Sequence, residues 1–210
     1  MFALSNVWFG PRLRRAAEQV EATASLAFEG IAFGRADPVP SFAGVEEALG
    51  RTGIRVALLE AGCLGGDSAR REVLSRLADR DATARERAVG EVLRHVELAR
   101  AVGCPTIAVP AGSVRLPGLR ERVERLGDIS SIASAGPGRR DAVTEIARDA
   151  ARGRAAALER LCRSLHSISA REPGALLCLE TPSAPDAVLD PEGAAHVFEA
   201  LPGRRIGYLH

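Results

Sequence analysis

Two glutamates stand where an apolar run of strand length stops, and a carboxylate in that position is rarely left without a partner or a task. Glu180 follows the apolar run 176–179 and Glu60 follows 54–59. Glu180 reads as a general base or a metal ligand. Glu60 reads as a substrate-binding group, or as half of an ordinary salt bridge. Arg35 comes just after the apolar run 28–33, where a guanidinium can meet a hydroxyl or a phosphate or simply remain solvated. Trp8 and Phe9 close a first run over 3–9 and offer either an apolar wall to a ligand ring or filling for an interior. His210, the last residue, would follow a sixth run at 206–209 and could touch substrate or be a loose terminus.

Other residues have plainer readings. His95, His166 and His196 fall inside stretches of helical period and read as structural or surface residues. Gly112 and Ser113 follow a fourth run and fit either a turn or a pair of backbone donors for a phosphate. Cys63, Cys104, Cys162 and Cys178 lack the paired spacing that holds zinc, so buried thiols in a reducing compartment are expected. All 28 basic residues are arginine, which rules out a Schiff-base or P-loop lysine within this chain.

Those residues need elements to hold them, and composition allows a substantial core: 46% of the 210 residues are hydrophobic. One domain over 1–210 is the expectation. Net charge is +1, with basic residues scattered among 27 acidic ones, so no nucleic-acid partner is expected. Near the N-terminus the charges come after a short apolar run, the reverse of a secretion signal, and no stretch reaches the roughly 20 apolar residues of a membrane span. A cytoplasmic protein without a membrane partner is the expectation.

Along the chain, apolar runs alternate with helical patterns. Strands are expected at 3–9, 28–33, 54–59, 106–109, 176–179 and 206–209. Leu13, Ala16, Ala17, Val20, Ala24 and Ala27 mark the first helix face, and Phe42, Val45, Ala48 and Leu49 a short second one. A helix over 82–102 carries Val89, Val92, Leu93, Val96 and Ala99, with Gly103 as its stop. The stretch 130–138 reads as loop, and a long helix follows with Val143, Ile146, Ala147, Ala150, Leu158, Leu161, Leu165 and Ile168 on one face. Asp190 and Pro191 read as an N-cap and first-turn pair for a last helix. Runs apolar on both parities belong to buried parallel strands. Six such units fit a (β/α) barrel or an open doubly wound sheet, and no G-x-G-x-x-G turn follows the first strand to favour the latter.

The strings FEGIAFGR (28–35), LLEAGC (58–63), ERAVGEVLRHVELARAVGCPTIAVPAG (86–112), LLCLETPS (176–183) and the ending IGYLH, taken in order, resemble the xylose isomerase-like TIM barrels. These form the sugar phosphate isomerase/epimerase superfamily, and the resemblance covers nearly the whole chain. It implies an α/β fold of parallel strands in TIM-barrel order, with six of the eight β/α units and the C-terminal part short. It further implies chemistry at the C-terminal rim of the strands.

In that family one divalent metal (Mn, Mg, Co or Zn) polarises the oxygens of a sugar while carboxylates move a proton on the adjacent carbon. Glu180, in LETP, matches the family's strand-five ligand. The ligands after strands six, seven and eight have no match, so the resemblance leaves the metal open to absence. It implies a metal-dependent sugar or sugar-phosphate isomerase or epimerase, with Trp8, Arg35, Glu60 and His210 around the sugar. The alternative is a non-catalytic binding or regulatory paralogue, or a truncated fragment without the full metal site. An apurinic-site endonuclease shares the barrel, but the four histidines and neutral balance argue against it. An unclosed barrel exposes sheet edges, so a homo-oligomer also fits.

Overall fold

A computed structural model describes residues 1–64, 72–126, 137–180, 184–203 and 206–209. Its centre is a six-stranded parallel sheet made of β1 (Ala3–Ser5), β2 (Gly30–Phe33), β3 (Arg55–Glu60), β4 (Thr106–Pro110), β5 (Leu176–Glu180) and β6 (Ile206–Leu209). The strands lie in sequence order, each hydrogen-bonded to the next. A doubly wound sheet reverses its order at a switch point, and this one never does. Because parallel crossovers are right-handed, stepping always in one direction puts every connecting helix on one face of the sheet. That winding is the TIM-barrel one. Among the described residues β1 and β6 are not paired with each other, so the sheet is not closed.

The connecting helices are α1 (Ala16–Ser25), α2 (Val45–Thr52), α3 (Ala82–Ala101), α4 (Leu119–Leu126), α5 (Pro137–Arg171) and α6 (Pro191–Ala200). Their ends follow local chemistry. The Asp81 side chain accepts from Thr83 N–H at 2.9 Å and starts α3; Gly103, at φ +65°, lets the chain leave it. Asp190 accepts from Gly193 N–H at 2.8 Å with Pro191 in the first turn of α6. In α5 the buried apolar residues are Ile146, Ala150, Ala157, Leu158, Leu161, Leu165 and Ile168; of the set expected from periodicity, Val143 and Ala147 are only half-buried, and Ala157 joins it. Those residues belong to the main hydrophobic core, and α5 packs on α3, α4 and α6.

Two elements depart from the sequence expectation. The first strand ends at Ser5, and residues Asn6–Arg12 form a 3-10 segment instead of continuing it. The Ser5 side chain accepts from Val7 N–H, Gly10 takes φ +54°, and Pro11 has no amide proton to give a neighbouring strand, so pairing cannot run on. The second departure is α4, in a segment to which no element was assigned from the sequence, and Pro137 and Gly138 belong to the start of α5 rather than to a loop. The rest of the stretch expected as loop, 130–136, lies outside the described residues.

Candidate functional site

Parallel strands bring all their C-terminal ends to one edge, and three of them deliver charge to the same place. Glu60 ends β3, Glu180 ends β5, and Arg35 lies two residues beyond β2. The Arg35 guanidinium donates through Nη2 to Glu180 Oε2, across 145 residues of sequence. Its Nε sits 3.5 Å from Glu60 Oε2, and its backbone N–H donates to that same oxygen at 3.1 Å. One arginine therefore holds two carboxylates. All three side chains keep between 24% and 35% of their surface, so the cluster is half-buried and reachable from solvent.

Two glycines leave room for it. A Cβ on Gly34 would lie 3.2 Å from Glu60 Oε2, and one on Gly62, which adopts φ +105°, would lie 3.2 Å from Arg35 Cγ and Cδ. Larger residues here would push the carboxylate and the guanidinium aside.

Behind the cluster stands a layer of buried polar side chains that the sequence reading did not single out as site-forming. Asn6, wholly buried just after β1, accepts from Gly34 N–H at 2.7 Å and faces Gln19 Oε1 through its amide nitrogen at 3.5 Å. Gln19 in turn donates to Leu13 O at 2.9 Å. His95, wholly buried on α3, accepts through Nε2 from Gly62 N–H at 2.8 Å, so its Nδ1 carries the proton donated to Glu91 O. The helix address of His95 is as expected, yet its ring reaches the loop directly after Glu60. A signal was present in both cases: buried polar groups must be paired, and an Asn at a strand end or a His on an apolar helix face asks for a backbone partner.

The remaining expectations divide. Trp8 lies on the 3-10 segment after β1, 55% exposed, with the Arg12 guanidinium 4.9 Å from its ring centre and Phe9 edge-on at 5.3 Å. Phe9, not Trp8, takes the interior position. His210 lies outside the described residues. A Cβ on Gly112 would meet Ser75 O at 2.3 Å, so that glycine serves close backbone packing between two loops rather than an open donor surface. All four cysteines are free thiols. Burial, then the charge of Glu60, pushes the Cys63 thiol far up, which disqualifies it as a nucleophile beside the cluster.

Metal binding needs several converging donors, and the described residues contain no group of three or more His, Cys, Asp or Glu placed to hold an ion. Glu180, the residue matched to a family ligand, spends its carboxylate on Arg35. The described residues do not fit a divalent metal.

No family model and no curated protein matches the chain. Solved structures do. Over 98% of its length it superposes on 3-keto-D-glucoside 4-epimerase from E. coli, with a TM-score of 0.60 and 17% identity. It also superposes on a xylose isomerase-like TIM barrel protein from Mycobacterium smegmatis in complex with magnesium (TM-score 0.51, 16% identity, 99% of this chain). Endonuclease IV from Thermus thermophilus aligns over the same share (TM-score 0.52, 14% identity). The chain spans 66%, 63% and 61% of those three proteins. At such identities the likeness establishes the fold alone, that of a TIM barrel, which an epimerase and an endonuclease share.

Proposed function

We propose that this chain belongs to a sugar or sugar-phosphate isomerase or epimerase, in which Glu180 moves a proton on the carbon next to a carbonyl. The observation that carries this reading is the array of two carboxylates bridged by one guanidinium at the C-terminal strand edge, which is where TIM-barrel enzymes place their chemistry. The likeness of fold to a sugar epimerase supports it.

Arg35 brings a fixed fork of donors to the site. Facing a keto-sugar, it would release an oxygen of Glu180 and donate to the substrate carbonyl or hydroxyl, so that charge developing on that oxygen meets a preset donor. The freed Glu180 carboxylate would accept the proton from the neighbouring carbon. Glu60, accepting from the Arg35 amide at 3.1 Å with its charge 3.5 Å from Nε, keeps the guanidinium in place while Glu180 exchanges partners. Trp8 offers its exposed ring at the same end of the sheet, as a wall for the apolar face of a sugar. A divalent ion would require Arg35 to vacate Glu180 and further donors from beyond the described residues, so no step is routed through one. The open edges of β1 and β6 favour self-association in this reading.

The test is solvent-proton exchange. D-fructose and D-fructose 6-phosphate are incubated with the chain in heavy water, and deuterium at the carbon beside the carbonyl is followed by NMR. Glu180→Gln should lower the exchange rate at least 100-fold, the usual scale for losing a general base. Exchange that survives Glu180→Gln, or that is absent from the unsubstituted chain with both sugars, removes Glu180 from the proposed role.

A further inference from the structure

Where α3 and α5 meet, arginines gather around one turn of the chain, 77–80, just before α3. Its carbonyls are taken in order. Ser164 Oγ donates to Leu77 O at 2.7 Å, Arg160 Nε to Ala78 O at 2.9 Å, and Arg85 Nη1 to Asp79 O at 2.8 Å and Arg80 O at 3.0 Å. Ser164 and Arg160 come from α5 and Arg85 from α3. Successive carbonyls therefore set two half-buried guanidiniums next to each other, and the exposed Arg80 side chain springs from the same turn.

Each anchor spends only part of its fork. Among the described residues, Arg160 Nη1 and Nη2, Arg85 Nε and Nη2, and the whole Arg80 guanidinium make no hydrogen bond, and none of the three arginines forms a salt bridge. The acidic groups nearby are engaged. Asp79 accepts from Arg76 and from the Asp81 amide, Asp81 accepts from Thr83 N–H, Glu159 faces Arg163 at 3.3 Å and Glu86 faces Arg171 at 2.7 Å. Burial, then the like charges of Arg80 and Arg85, and after the opposing charge of Asp79 that of Arg163, push the Arg160 guanidinium below its usual range. Binding a turn's carbonyls needs donors, not charge, as the neighbouring Ser164 shows. Three guanidiniums held together without a carboxylate add up to a local positive potential that an anion would relieve. Chloride offers a single point of charge. A tetrahedral dianion offers several acceptors to planar N–H pairs, the match that guanidinium forks make best.

We propose that Arg80, Arg85 and Arg160 form a binding site for a phosphate-type dianion, an effector that ties α3 to α5 when bound. Arg85 and Arg160 belong to the covering helices, and none of the three is bonded to Arg35, Glu60 or Glu180, so this is not a subsite for a molecule reacting at the strand ends. The inference survives failure of the isomerase reading.

The probe is inorganic phosphate, titrated into the 210-residue chain and followed by phosphorus NMR in mildly alkaline buffer, where phosphate is a dianion and arginine keeps its charge. Saturable binding is expected, weakened about 10-fold by Arg160→Gln, the scale of one charge-assisted hydrogen bond. Arg80→Gln removes an exposed side chain that bonds to nothing, so it guards against a fold defect in the first variant; it should weaken binding about 3-fold, the scale of an exposed charge. Arg51→Gln, an equal loss of charge on α2, and Glu180→Gln should leave binding unchanged. Phenyl phosphate distinguishes the sources of the anion: equal affinity assigns free phosphate, and tighter binding of the ester assigns a phosphoryl group on an organic molecule, each in keeping with the site. Absence of saturable phosphate binding overturns the proposal. So does displacement by chloride at equal ionic strength, or equal weakening by Arg51→Gln, either of which would mean a diffuse charge effect.

Discussion

Asp79 shows how much of the molecule's order hangs on single buried charges. Its carboxylate, 7% exposed, accepts from Arg76 Nε at 2.8 Å and from Asp81 N–H at 3.0 Å. Its backbone carbonyl takes Arg85 Nη1 at 2.8 Å. Burial works to raise its pKa, but those hydrogen bonds and the charges of Arg76 and Arg115 prevail and hold it below the ordinary value of 3.8. A depressed carboxyl contributes stability that is present above the ordinary value and is lost as the pH falls through the native one. Asp79→Ala should therefore cost about 2 kcal/mol at pH 7, since it removes the charged acceptor of the half-buried Arg76 and of the Asp81 amide. The gap should narrow in strong acid. Urea midpoints of both proteins at neutral and acid pH check this; a gap independent of pH would mean that packing, not charge, is what Asp79 supplies. At this scale the strand-end carboxylates were legible in the sequence, because a run of apolar residues followed by Glu is a local pattern. Their joint partner was not: Arg35 is 25 residues from Glu60 and 145 from Glu180.

Among the elements, the loop after β3 is held from behind as well as by its own turn, in which Cys63 N–H donates to Glu60 O at 3.0 Å. The α3 ring of His95 takes the Gly62 amide, and Gly62 makes room for Arg35. His95→Ala would leave that amide unpaired and open a void, a combined cost of about 3 kcal/mol. Amide hydrogen exchange at Gly62 and Leu64 should accelerate well beyond that of the β3 interior. Equal acceleration throughout the chain would mean that His95 acts only on global stability. Helix limits could be read from Gly103, Asp190 and Pro191 because capping is local chemistry. The 3-10 segment after Ser5 could not, since its apolar content imitates a strand and only the Gly10-Pro11 pair hints that it turns.

For the whole molecule, the open sheet is the governing fact. Near the β1 edge, Met1, Phe2, Val7 and Trp8 each expose half or more of their surface, a concentration of apolar area beside unpaired backbone groups. Self-association through this edge is the expected outcome, and light scattering after size exclusion should give a mass that rises above 22.1 kDa with concentration. A strictly monomeric species at every concentration would show that the edge is protected by its twist or its charges alone. Elemental analysis of the same fractions bears on the metal: the Arg35–Glu180 pair leads us to expect less than one divalent ion per chain.

What this amino-acid sequence determined by itself is periodic and local: six apolar strands alternating with amphipathic helices, their caps, and the carboxylates that end β3 and β5. Hydrophobic period and capping act over a few residues, so they are written in the order of the chain. Only the tertiary structure decided that the strands lie in unbroken order, that Arg35 bridges Glu60 and Glu180, and that Asn6 and His95 brace the loops behind them. Each of these depends on contacts between distant segments, whose geometry is set by how the whole core packs.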